Sequence, residues 1–265
     1  MNLLVKADRA GKPLVDVTPA SAGWTHVGFR AVKLAAGEHE VWQQSGRECC
    51  VVILAGKASV QVGDTVWAEL GQRDSVFDEQ APYAVYAPPG LVVTVTADSA
   101  AEVAFCSAPS AGNYPPRLIT PDSMTRSVRG KGANTRYVTD ILPQTEPADG
   151  LLVVEVRTPS GHSSSYPPHK HDRDALPEES VLEETYYHRL NPAQGFAFQR
   201  VYTDDRRIDQ SMAVEDHDVV MVPEGYHPVC VPYGYDSYYL NVMAGPRREW
   251  CFRNDPAHEW LIAKP

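Results

Sequence analysis

Short apolar runs of seven to nine residues recur along the whole chain, and no other feature constrains its fold as tightly. The first half carries "CCVVILAG" (49–56), "KASVQVG" (57–63), "YAVYAPP" (83–89), "LVVTVTA" (91–97) and "EVAFCSA" (102–108). The second half carries "LLVVEVRT" (151–158), "ETYYHRL" (184–190), "FAFQRVYT" (196–203), "DVVMVPEG" (218–225) and "SYYLNVMAG" (237–245). Val, Tyr and Phe dominate these runs, and such branched or flat side chains fit a pleated sheet. No long segment repeats apolar residues at i, i+3, i+4 and i+7, as one face of a helix requires. The 22 prolines and 18 glycines would break such a segment repeatedly. Regularly spaced short strands separated by turns predict an all-β sandwich or barrel.

The two halves echo one another. "VYAPPGLVVTV" (85–95) and "VMVPEGYHPVCV" (220–231) each place an apolar strand, a proline-glycine turn and a second apolar strand in the same order. Between the halves, roughly 110–135, lies a polar, turn-rich stretch. At 265 residues the chain has room for two barrels of one plan. They are expected over 1–115 and 116–265.

A formal charge of −10 argues against nucleic acid or an anionic membrane surface as partner. It leaves room for a small anionic substrate, because a few local arginines reverse the field inside one pocket. "MNLLVKADRAGKPLV" lacks the apolar core of a signal peptide. The five cysteines show no CxxC spacing, which points to reduced thiols and a cytoplasmic location.

Chemistry concentrates around "SSYPPHKHD" (164–172). On a strand, residues i and i+2 share a face, so His169 and His171 point together into a barrel. Divalent transition metals take imidazole nitrogens and carboxylate oxygens that converge at about 2.0–2.2 Å. Six acids follow His171 before Thr185. Glu184 is the best third ligand, because it opens the strand "ETYYHRL" with Tyr186 and His188 on its face. Asp172, Asp174, Glu179 and Glu183 are expected in a loop without such support. His227 follows the turn "PEG" and is the fourth candidate, completing three histidines and one carboxylate. The first half has no equivalent: His39 and Glu48 flank "VWQQSGR", and the turn "APPGLV" ends without histidine. A metal-free first barrel is expected.

The segment 161–188 with "PEGYH" (223–227) resembles the two signature motifs of the cupin superfamily. The twelve residues between His171 and Glu184 exceed the usual cupin spacing, and an inserted loop "DRDALPEES" explains the excess. The second motif reads PxGxH rather than PxGxxH. The longer stretches "RYVTDIL" (136–142), "LEETYYHRLNPAQGFAFQRVYT" (182–203) and "VPEGYHPVCVPYGYDSYYLNVMAGPRREW" (222–250) resemble a more specific family. This is the 5-deoxy-glucuronate isomerase family, bicupin isomerases of bacterial myo-inositol catabolism related to 5-keto-4-deoxyuronate isomerase of pectin breakdown.

The resemblance implies two tandem cupin (jelly-roll) barrels. It also implies a zinc site that maps onto His169, His171, Glu184 and His227. The donor set alone suits zinc, manganese or iron. The implied reaction isomerises 5-deoxy-D-glucuronate, an aldose, to the ketose 5-dehydro-2-deoxy-D-gluconate. A divalent metal would polarise the aldehyde oxygen. His188 is expected to shuttle the proton, and Tyr186 to donate a hydrogen bond. Tyr239 and Asn241 are expected to face the substrate. Arg200 and Arg173 are expected to clamp its carboxylate through the planar guanidinium fork. A ketol-isomerase of a pectin-derived uronate and a cupin dioxygenase are the alternatives on the same ligand set. Bicupins often assemble further, so a homo-oligomer is expected.

Overall fold

The β-rich runs form strands throughout a computed structural model that describes residues 2–263, with the side chains described through Ile262. No helix among them is long and apolar enough to cross a membrane. The fold is a double cupin, as the strand order of each unit shows. Contacts divide the chain into two units.

The first unit comprises Asp8–Thr125 and Asp140–Val153. Its larger sheet runs Arg117–Ile119, Tyr83–Ala87, Arg47–Ala55, Ala101–Pro109, Gly28–Leu34, Val15–Val17. A second sheet runs His39–Trp42, Val93–Ala97, Ala58–Val62, Thr65–Leu70. Alternate residues of the central strands, including Val51, Ile53, Val60, Val95, Val103 and Phe105, pack into one apolar core. Burying such side chains stabilises by about 1.5–3 kcal/mol each. His39 is exposed, whereas Glu48 is fully buried. The Glu48 carboxylate accepts from the backbone N–H groups of Asp149, Gly150 and Leu151 and from the Tyr86 hydroxyl. That carboxylate ties the segment after Asp140 to the first barrel.

The second unit contains Arg126–Thr139, the chain from Val154 onward and the N-terminal segment through Ala7. One cut between residues 115 and 116 therefore does not describe the division. Leu4 and Val5 hydrogen-bond along Val219–Val222 as an edge strand of the second unit. Its large sheet runs Leu4–Val5, Val219–Val222, Glu183–Asn191, Asp236–Ala244, Leu152–Thr158, Arg136–Leu142, Thr125–Arg129. The smaller sheet runs Ser163–Ser164, Val229–Cys230, Phe196–Tyr202, Asp209–Glu215. His188 on the large sheet meets Gln199 on the small one at 2.9 Å, so their inner faces close on each other. The stretch "DRDALPEES" is a hairpin, pairing Asp172–Ala175 with Glu179–Val181.

Candidate functional site

Strand parity in Glu183–Asn191 turns Glu184, Tyr186 and His188 toward the barrel interior. Antiparallel register places Glu184 opposite Val222, the last strand residue before the turn that delivers His227. That turn depends on glycine. Gly225 has φ +92°, and a Cβ there would lie 2.6 Å from the Tyr202 carbonyl oxygen. His169 pairs with Asn254 and His171 follows at the end of that short strand.

The three histidines and Glu184 meet. One ligand nitrogen from each of His169, His171 and His227 lies within 4.8 Å of the others. Glu184 Oε2 lies 3.1 Å from His171 Nε2 and 3.3 Å from His227 Nε2. His171 and His227 are buried behind the cluster, and His169 and Glu184 face the adjoining cavity.

The tautomers follow from carbonyl partners, which only accept. His171 Nδ1–H donates to Leu182 O at 3.0 Å, and His227 Nδ1–H donates to Gly225 O at 2.8 Å. Both Nε2 atoms therefore point at Glu184. Burial, with the neighbouring His169 and His171, holds His227 down to about 3 against the pull of Glu184. Its Nε2 thus presents a lone pair to a carboxylate oxygen, and it is buried without a hydrogen-bond partner. Two facing acceptors are satisfied by a cation between them, so the residues fit a divalent metal. His169 is likewise held to about 3 by burial and by the charges of His171 and Arg136. For His171 burial acts downward, but the hydrogen bond and charge of Glu184 win and raise it.

The acids after His171 are more ordered than a solvated loop. Lys170, pointing away from the histidines, is 2% exposed and pairs with Asp172 and, at 2.9 Å, with Glu179. Asp172 Oδ2 also accepts from Gly225 N–H at 2.9 Å. Asp172 therefore links the His169–His171 segment to the turn that presents His227. Asp174 faces Arg247 at 3.6 Å. Gly225 and Arg247 lie far along the chain from these acids, so those contacts were not legible in the local sequence.

The cavity beside His169 and Glu184 measures about 270 Å³, and Tyr186, Tyr239, Asn241, Ser165, Arg136 and Trp250 are among its lining. Tyr186 and Tyr239 pack with ring centroids 4.9 Å apart. The Tyr186 hydroxyl hydrogen-bonds Ser165 Oγ at 3.0 Å, and the Tyr239 hydroxyl bonds Ser164 Oγ. Burial and the Glu184 charge push the Tyr186 phenol well up, which keeps it protonated. Asn241 Nδ2 is buried without a partner.

Three expectations about the site are corrected. Arg200 lies on the outer side of its strand, with Nε and Nη2 each 2.8 Å from Asp209. Arg173 is exposed and pairs with Asp204 at 2.9 Å. Both forks are occupied by acids away from the cavity. His188 shares the face of Glu184 but lies one layer deeper, fully buried, with Nε2–H donating to Gln199. Its ring stacks on Tyr186 at 6.0 Å. Sequence reasoning missed Arg136, Ser165 and Trp250: they lie in the stretches 136–142, 164–172 and 222–250, but tertiary packing decides that these side chains reach the cavity.

The geometry has close relatives. The sequence model of the KduI/IolB family matches residues 3–261. The chain belongs to the KduI/IolB family. A curated relative from Geobacillus kaustophilus, named 5-deoxy-glucuronate isomerase, is 53% identical over 94% of this chain and 90% of its own length. One of the same name from Halalkalibacterium halodurans is 52% identical over 98% of each chain. The crystal structure of an IolB-like protein from Salmonella typhimurium superposes with a TM-score of 0.97, at 49% identity, over 98% of this chain and 99% of that one. Outside the KduI/IolB family, oxalate decarboxylase from Lactobacillus farciminis matches with a TM-score of 0.67 at 12% identity, covering 100% and 91% of the two chains. That likeness is one of fold alone and marks the KduI/IolB chain as a double cupin.

Proposed function

We propose that this chain is an aldose–ketose isomerase that converts 5-deoxy-D-glucuronate to 5-dehydro-2-deoxy-D-gluconate in myo-inositol catabolism. The observation that carries the reading is Glu184 Oε2 set between two histidine Nε2 atoms at the edge of a hydroxyl-lined cavity. His169, His171, Glu184 and His227 would hold a divalent cation, zinc in this proposal, which supplies a Lewis acid for the aldehyde oxygen.

The chain's own residues do the rest. Isomerisation moves one proton from C2 to C1 and one from O2 to O1, with no net gain or loss. The hydroxyls of Tyr186 and Tyr239, protonated at rest, carry the proton between the two oxygens. Tyr186, protonated and anchored by Ser165, donates to the oxygen on which enediolate charge develops. Tyr239, held by Ser164 and 3.4 Å from Ser165 Oγ, continues that chain of hydroxyls and exchanges protons with it. His188, closed off by Gln199, positions Tyr186 from behind. The aromatic wall of Trp250 and Phe252 keeps water from the reacting carbons.

A cytoplasmic location belongs to the same proposal, supported by five cysteines of which none forms a disulfide. So does a homo-oligomer, for which exposed Tyr233, in a turn, and Phe198, on an inner strand of the smaller sheet, are apolar surface to cover.

The test is elemental analysis of purified protein together with conversion of 5-deoxy-glucuronate followed by NMR, in wild type and His171→Ala. Stoichiometric metal with turnover, both lost in the variant, is expected. Metal without turnover of this uronate would overturn the substrate, and oxygen uptake would overturn the reaction class.

A further inference from the structure

Arg136 differs from six arginines of the chain that are held in ion pairs. Arg30, Arg173, Arg189, Arg200, Arg207 and Arg247 each face an Asp or Glu. Arg136 is half-buried and, among the described residues, meets no acid. Its Nη1 donates to Asn134 O and Asn134 Oδ1, both at 3.1 Å. Asn134 is itself anchored through Nδ2 to the Tyr166 carbonyl at 2.9 Å. Gly130 lets the guanidinium pack this closely, because a Cβ there would lie 2.8 Å from Nη1. Nη1 is therefore fixed by the protein, no described residue bonds Nε or Nη2, and the side chain lines the cavity.

The position of that fork is informative. Arg136 lines the cavity shared with His169 and Glu184 and also a wider neighbouring cavity of about 660 Å³. It stands where the two meet. Arg129, its guanidinium 5.5 Å from the Trp250 ring centroid, lines the same inner cavity and adds like charge. Partial burial lowers the Arg136 pKa, with Arg129 acting in the same direction and Tyr239 and Tyr186 against it. A guanidinium withdrawn from water beside a second cation is costly unless an anion completes it. Asn241 Nδ2, in a side chain only 5% exposed, supplies a second unsatisfied donor on the cavity wall.

We propose that Arg136 is the carboxylate-binding residue of this site, taking the acid group of the substrate while the aldehyde lies at the His169–Glu184 end. Resting on the isomerase reading, this names Arg136 as the residue that selects sugar acids over neutral sugars. Arg129 reinforces the charge, and Asn241 donates to a hydroxyl between the two ends. The planar fork takes both carboxylate oxygens at once, which a hydroxymethyl group cannot reproduce.

The test compares metal-loaded wild type with Arg136→Gln and Arg136→Lys. Turnover is measured on 5-deoxy-glucuronate and on its neutral counterpart, in which a hydroxymethyl group replaces the carboxylate. Binding of gluconate, a six-carbon acid without an aldehyde, is measured by calorimetry. For Arg136→Gln, KM for the acid is expected to rise about a hundredfold and gluconate binding to weaken equally, with metal content unchanged. The neutral sugar is expected to respond less than threefold. Arg136→Lys keeps the charge and the packing, so an intermediate loss is expected even if the glutamine variant folds poorly. Unchanged gluconate binding, or equal losses for acid and neutral sugars, overturns the proposal. Wild type that holds metal but turns over neither sugar defeats the isomerase reading, and calorimetry then still decides the role of Arg136.

Discussion

His171 and Glu184 are joined across twelve intervening residues by an Nε2–Oε2 contact of 3.1 Å, while the hairpin between them projects outward. Their backbones are coupled too, since Leu182 N–H donates to His171 O at 3.0 Å and His171 Nδ1–H returns to Leu182 O. The inserted hairpin therefore lengthens the motif without loosening it. Leu182, two residues before Glu184, bonds His171 through both its backbone groups at the base of the insertion.

Replacing any one of His169, His171 and His227 by alanine is expected to reduce bound metal to less than about a tenth of stoichiometric, because it removes one imidazole donor from the set and leaves a gap in a buried site. Tyr186→Phe should keep the metal and lower kcat about a hundredfold, as expected for loss of one donor at the developing charge. Elemental analysis and steady-state kinetics on the same preparations separate the two effects. Retention of metal in all three alanine variants would remove the cluster from the mechanism.

Asp172 is expected to act on the metal through His227. Asp172→Ala removes the acceptor for Gly225 N–H and one partner of buried Lys170. Metal affinity should fall roughly 10–100-fold although no ligand is altered. Competition with a chromophoric chelator measures it, and an affinity equal to that of wild type would show that the turn holds His227 unaided.

Acid should destabilise the metal-free protein. Burial depresses His188 from 6.5 to about 4, and burial with neighbouring charge takes His169 and His227 to about 3. Below about 6.5 the unfolded chain binds protons that the folded chain refuses, so the stability of these groups is lost as pH falls. His171 has the opposite sign: its raised pKa contributes below 6.5 and is lost as pH rises through the folded value. It therefore offsets part of the loss as pH falls through about 6.5 and is constant below that, so the three depressed groups outweigh it. Each net proton contributes a slope of about 1.4 kcal/mol per pH unit. Urea midpoints at pH 7, 6 and 5 should decline in that order; a flat series would contradict the burial argument.

Glu48→Ala is expected to destabilise the first unit by roughly 3–5 kcal/mol, because three backbone N–H groups and the Tyr86 hydroxyl lose their acceptor in a buried place. Thermal unfolding followed by circular dichroism reads the loss. A change in Tm of less than about 2 °C would mean that water replaces the carboxylate.

What the sequence alone determined is what local geometry transmits. β-branched and aromatic runs between prolines and glycines specified strands, and strands of that length specified two barrels. Parity singled out His169 and His171 together and Glu184 over Glu183, and the Pro-Glu-Gly turn pointed to His227. Depth and partnership were decided only by the tertiary structure. Parity placed His188 on the right face, but the sheet opposite supplied Gln199 and sealed it away. Asp172 and Glu179 read as loop acids until the fold brought buried Lys170 between them. Arg200 and Arg173 had the right chemistry beside the ligand strands, yet Asp209 and Asp204 occupy their forks. Arg136 opens the stretch "RYVTDIL", but only chain packing turns it and Arg129 into the cavity. Side-chain direction repeats every two residues and is written in the chain, whereas the partner of a charge is set by strands that meet only after folding.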